Sequence, residues 1–270
     1  MAERRRSQAR RLGRNAGGYE GETIDIYAVL ESMSETAARL GWRVDWIPVR
    51  PDSELLTLHR IPKVPGRRFY FSTGIHGDEP AGPLAFQALL REDAFPEDAE
   101  CWLLPCLNPT GFEANRRESR DGIDLNRDYR HPRSPEIRAH VAWLKDQGCF
   151  DCAVCVHEDW EATGFYLYAL NPQGIPDVTE AVMNAVRPVF PIEQAEQIEG
   201  FPAVDGVIEP PLDPTARSEW PESIYLAAHH SRLGYTVETS SDFDLEDRVT
   251  ALVAAMKAVL SFTPSVPAPN

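Results

Sequence analysis

His76 and Glu79 stand three residues apart in Gly74-Ile75-His76-Gly77-Asp78-Glu79-Pro80, across a glycine and just after an aromatic run. At a strand-to-helix turn, that spacing lets one imidazole and one carboxylate face a single cation. His157 follows a second apolar run, Phe150–Val156, and would complete a His/Glu/His set. Three protein ligands is the number a catalytic zinc site uses, so that water can hold the fourth position. A lone histidine is more often packed or solvated than ligating. The weight therefore rests on the combination, with Glu238 closing a further short run, Tyr235–Val237. A second concentration of chemistry lies in Asn115–Tyr129, where Arg116, Arg117, Arg120 and Arg127 fall within twelve residues. Such a segment can be a solvated loop, but arginine forks suit carboxylates. An anionic substrate held beside a metal is a coherent picture.

These residues need a frame. Arg43–Val49, Leu55–Arg60, Arg68–Thr73, Glu100–Leu107, Phe150–Val156, Gly164–Leu170 and Tyr235–Glu238 read as strands. Pro80–Arg91, Glu136–Gln147, Pro176–Arg187 and Glu222–Leu233 read as helices, and Asp244 as the N-cap of a last one. Strands separated by helices predict an α/β fold, a single-domain mixed β-sheet flanked by helices on both faces. Ligands then bind outside the carboxyl ends of strands, where His76, His157 and Glu238 all fall. The proline-rich, aperiodic stretch Pro191–Pro221 is too long for a plain connector and is expected to form an ordered loop at the rim of the site. The body is expected to span residues 18–262, between a basic arm at 1–17 and a proline-rich tail at 263–270, both predicted to be disordered.

His76-Gly77-Asp78-Glu79, Asn108-Pro109-Thr110-Gly111, Arg117 seven residues before Asp124, Asp124-Leu125-Asn126-Arg127, His157 and Thr236-Val237-Glu238-Thr239 occur in that order along most of the chain. As an ordered set they resemble the zinc carboxypeptidase family, most of all its small bacterial branch that includes murein tripeptide amidase. The succinylglutamate desuccinylase and aspartoacylase group is similar in looser form. The resemblance implies a phosphorylase/hydrolase-like α/β sandwich and one Zn2+ per chain on His76, Glu79 and His157. It implies Glu238 as the general base, Arg117 as the group that polarises the scissile carbonyl, and Asn126 and Arg127 as the holders of the substrate's free carboxylate. The implied substrate is a small peptide or acylamino acid. Two rivals stand beside a metallocarboxypeptidase: an N-acyl amino acid deacylase, and a non-catalytic metal-binding or sensing protein on the same fold. The family's usual loop tyrosine has no match, since Tyr225 is only thirteen residues before Glu238 in a predicted helix. Glu158 and Asp159 either orient His157 or repel anionic substrates.

Composition bounds these readings. A formal net charge of −15 makes the chain a poor grip for phosphate backbones, so nucleic acid is not an expected partner. No run approaches the ~20 apolar residues of a membrane span. Six arginines crowd the first fourteen residues, but no apolar signal core follows them. With five cysteines, an odd number, this favours a reducing cytoplasm. Cys149, Cys152 and Cys155 have the close spacing of a metal-cluster run, yet read better as small apolar residues of a buried strand.

Overall fold

A computed structural model describes residues 9–262, apart from residues 16, 20, 65, 212 and 214–216. Its main sheet has eight strands: β1 (Arg43–Arg50), β2 (Ser53–Arg60), β3 (Arg67–Thr73), β4 (Ala99–Leu104), β5 (Cys152–Asp159), β6 (Tyr166–Leu170), β9 (Val207–Ile208) and β10 (Gly234–Ser240). They lie in the order β1-β2-β4-β3-β5-β10-β6-β9. The four middle strands, β4, β3, β5 and β10, run parallel. Antiparallel pairs β1–β2, β2–β4 and β6–β10 make the sheet mixed, as predicted. A small hairpin, β7 (Gln197–Ile198) with β8 (Phe201–Pro202), stands apart.

The alternation of side chains along a strand assigns the two faces. Phe69 and Phe71 of β3 pack with α1 (Ile26–Arg39), α2 (Ala81–Arg91), α5 (Thr179–Val186) and α7 (Leu245–Val259). Tyr70 between them faces α4 (Pro135–Lys145) and α6 (Glu222–His229). Burying a large apolar side chain contributes about 1.5–3 kcal/mol, so this two-sided core holds the parallel strands rigidly. A short helix, α3 (Pro109–Glu113), follows β4 and carries the Asn-Pro-Thr-Gly motif.

Several boundaries differ from expectation. The strand predicted to stop at Val156 continues to Asp159, because β10 pairs with it through Ser240↔Asp159 and satisfies its backbone. β4 ends at Leu104, where Pro105 has no N–H to offer the ladder. β6 begins at Tyr166 rather than Gly164, α5 at Thr179 rather than Pro176, and α6 stops at His229 rather than Leu233. Helix α1 was not anticipated, although Ile26, Leu30, Met33 and Ala37 recur at helical spacing and Asp25 caps it by accepting the Ala28 N–H at 3.1 Å.

The basic arm is also partly ordered. Asp242, buried at 1% exposure, accepts the Gly13 and Arg14 N–H groups and the Arg11 guanidinium, and its carbonyl accepts the Leu12 N–H. Residues 1–8 and the tail at 263–270 lie outside the described residues. All five cysteines are free. Cys152 and Cys155 point into opposite faces of the sheet and Cys149 is exposed, so the three share no metal.

Candidate metal centre

Three adjacent parallel strands, β3, β5 and β10, end on one side of the sheet and supply the site. His76 and Glu79 come from the turn between β3 and α2. His157 and Glu238 are register partners across β5 and β10, so they emerge side by side on the same face. Nδ1 of both imidazoles turns to the Glu79 carboxylate: His157 meets Oε2 at 3.0 Å, and His76 makes a shorter contact with Oε1. His76, Glu79 and His157 are all buried, and their ligand atoms lie within 4.8 Å of one another. Among the described residues, this is the one His/Cys/Asp/Glu group compact enough to hold a metal.

The arginine segment closes over this group. Nε2 of His76 faces Asp124 Oδ1 at 3.4 Å, and the other Asp124 oxygen accepts the Arg117 Nε–H at 2.9 Å. A further Arg117 nitrogen lies 3.3 Å from His76 Nδ1. The Asn-Pro-Thr-Gly motif is the clamp behind this placement. Buried Asn108 donates to the carbonyls of Ile75 and Arg117, at 3.1 and 3.2 Å, while its own carbonyl caps α3 through the Gly111 N–H. Gly77 leaves no room for a side chain, since a Cβ there would sit 2.0 Å from the Gly111 backbone. The two loops that carry His76 and Arg117 are thus stitched together.

A cavity of about 770 Å³ opens from the triad. Arg117, Asn126 and Arg127 line it, as do Asp159, Glu161, Glu199 and Glu238. Asn126 accepts the Glu222 N–H with its side-chain carbonyl at 2.9 Å, which leaves its amide NH2 as the donor for a ligand. Arg127 donates to the neighbouring Asn126 carbonyl at 2.9 Å. Glu238 is the one residue of β10 that is not fully buried. The Pro191–Pro221 stretch forms part of the rim through Glu199, Phe201, Pro210, Arg217 and Glu219.

All seven predicted site residues therefore line one cavity. Sequence reasoning missed two tyrosines. Tyr166, the register partner of Glu238 on β6, donates to Asp159 at 3.0 Å, and Tyr168 donates to Glu199 at 2.7 Å. Alternation along Tyr166-Leu167-Tyr168 was the available signal. Tyr225 packs instead, at tilted angles, against Tyr129, His229 and His230, away from the triad. Glu158 lines the cavity, but among the described residues its carboxylate bonds the Ala81 N–H and Arg248 rather than the His157 ring. It points through the opposite face to Arg248.

Electrostatics favour a cation. Burial alone would raise the Glu79 carboxyl, but His76 and His157 outweigh it and hold Glu79 well below the usual range. Burial keeps His157 below the ordinary imidazole value and so neutral, the form that ligates metal. Glu238 is pushed well above the carboxylate range by burial and then by the charges of Glu79, Asp159 and Glu199. A divalent cation between His76, Glu79 and His157 would offset that repulsion. Two imidazoles and a carboxylate, with Asp124 beside the far nitrogen of His76, fit zinc.

The fold has solved counterparts. A candidate metallopeptidase from Shewanella denitrificans OS217 superposes with a TM-score of 0.76 over 91% of this chain and 98% of its own, at 24% identity. A metallo-carboxypeptidase from Pseudomonas aeruginosa, solved with (2-guanidinoethylmercapto)succinic acid, does so with a TM-score of 0.62 over 90% of this chain and 69% of its own, at 19% identity. This is the metallocarboxypeptidase fold. Residues 65–173 match the succinylglutamate desuccinylase/aspartoacylase catalytic domain, so the resemblance read from the motifs holds. Carboxypeptidase SOL1 of Arabidopsis thaliana is 29% identical over 102 residues, 29% of this chain. This chain spans only 20% of that relative's length. Together they show a metallocarboxypeptidase-like fold that carries, over residues 65–173, a match to the succinylglutamate desuccinylase/aspartoacylase catalytic domain. No described helix is long and apolar enough to cross a membrane.

Proposed function

We propose that this chain is a zinc-dependent hydrolase that cleaves an amide bond next to a free carboxylate in a small peptide. The observation that carries the reading is the shared cavity: a His/Glu/His triad, a carboxylate on the adjoining strand, and arginines on the facing loop. When bound, zinc supplies a positive charge that polarises a carbonyl and lowers the pKa of water to about 7. His76, Glu79 and His157 would hold it. Glu238 takes the proton from the attacking water and passes it to the leaving amine. Arg117, kept in place by Asp124, donates to the carbonyl oxygen as negative charge builds there. Asn126 and Arg127 hold the substrate carboxylate. The succinic acid compound in the Pseudomonas structure carries carboxylates and a guanidino group. The cavity here is lined by both arginines and carboxylates. We place this activity in the cytoplasm.

A second reading, N-acyl amino acid deacylation, is favoured by the match over residues 65–173. Purified chain, assayed with and without a chelator, decides between them. The substrates are C-terminal dipeptides, murein tripeptides, and N-succinyl and N-acetyl amino acids. Chelator-sensitive turnover of peptides is the expected result. Turnover unaffected by complete metal removal would overturn the zinc mechanism, and preference for the acylated amino acids would select the deacylase.

A further inference from the structure

Glu158 follows His157 along β5, so its side chain leaves the opposite face of the sheet. There it is fully buried and bridges two elements. Its Oε1 accepts the Ala81 N–H at 2.6 Å, and its Oε2 pairs with Arg248 of α7. Ala81 opens α2 two residues after Glu79, and that helix has no side-chain cap of its own. The first N–H groups of a helix lack intrahelical partners, and Glu158 serves one of them from a neighbouring strand. The start of α2 is pressed hard onto β3, because a Cβ at Gly82 would lie 1.8 Å from Thr73 Oγ1. Arg248, itself fully buried, balances the charge and reaches on to Glu22 of the N-terminal segment. The bridge therefore joins the neighbours of two of the three triad residues, Glu79 and His157, and its carboxylate contacts lie on α2 and α7.

We propose that Arg248 is a positioning residue which, through Glu158, fixes the separation of Glu79 and His157 and so sets the affinity of the site for zinc. The inference rests on the zinc reading above. Breaking a buried ion pair by removing one partner leaves an uncompensated charge, and the end of β5 must move to relieve it. Loss of groups that orient metal ligands typically costs ~10–100-fold in metal affinity.

The test is zinc affinity of the full chain by competition with a chromophoric chelator, independent of any substrate and below each variant's melting temperature. Arg248→Met is expected to raise the zinc dissociation constant ~10-fold or more. The pair Glu158→Gln with Arg248→Met keeps an amide oxygen facing Ala81 and removes both charges, so it should bind zinc closer to wild type than Arg248→Met alone. A purely structural role would lower melting temperature without this rescue of affinity. If Arg248→Met does not fold, Glu158→Gln carries the test, with a several-fold rise expected. Wild type that binds zinc, with every folded variant unshifted, overturns the bridge alone. Wild type that binds no zinc overturns the metal reading and the bridge with it.

Discussion

Glu79 and Glu222 are both buried, yet their surroundings drive their carboxyl groups in opposite directions. Burial tends to raise both. At Glu79 the imidazoles of His76 and His157 win, and the group stays ionised. At Glu222 the partners are uncharged, the Tyr70 and Ser72 hydroxyls at 2.6 and 2.9 Å and the Cys155 thiol, and burial carries the carboxyl up to about 7. The site of Glu79 is built to hold a cation. The site of Glu222 is built to hold a proton, within a buried network in which the Tyr70 and Tyr129 hydroxyls meet the two nitrogens of His140 at 3.0 and 2.7 Å. What a buried carboxylate does is decided by its partners and not by its depth.

The contrast can be attacked in order of expected effect. Glu79→Gln removes the negative charge between two imidazoles and should abolish both zinc binding and turnover, read by metal content after dialysis and by steady-state assay. Retained stoichiometric zinc would break the assignment of Glu79 as a ligand. Glu238 is raised by burial and then by the charges around it. Glu238→Gln should keep zinc and lower kcat ~10²–10⁴-fold, the usual contribution of a general base. A wild-type kcat would remove it from the mechanism.

Glu222 gives a pH signature. The folded chain keeps this proton to about pH 7, whereas an unfolded glutamate releases it near 4.5. Between those values the unfolded state binds fewer protons, so stability contributed by this group falls as pH rises. It is fully present below about 4.5 and lost by about 7, a change of order 3 kcal/mol. Urea melts across that range should show the slope in wild type and lose it in Glu222→Gln. The smallest effect is expected for the same variant at the metal. Glu222→Gln should leave the zinc dissociation constant within a few-fold, because it reaches the cavity only through its backbone N–H on Asn126.

The sheet and its two helical layers were legible because Phe69-Tyr70-Phe71 and Ala153-Val154-Cys155 are apolar on both faces, as buried parallel strands are. The cavity residues were legible because histidine and glutamate at strand ends are out of place unless they do chemistry. Partners brought from afar were not. Nothing local marks Glu158 as a match for Arg248, ninety residues on, or Asp242 as the anchor of the basic arm. The extension of β5 through His157-Glu158-Asp159 was hidden for the same reason. Those polar residues become strand only because β10 lies alongside.

The pairing of Glu238 with His157 also limits how this chain can change. A single residue inserted within β10 ahead of Glu238 would turn that carboxylate to the far side of the sheet, towards the compartment of Arg248, while leaving the hydrophobic composition untouched. Two inserted residues would restore the side but displace it by about 7 Å along the strand. Length variation is therefore barred from β5 and β10 and is free to accumulate in the loops that enter them, such as the long stretch forming the rim. Relatives with this chemistry should differ most in loop length there, and in the substrates those loops admit.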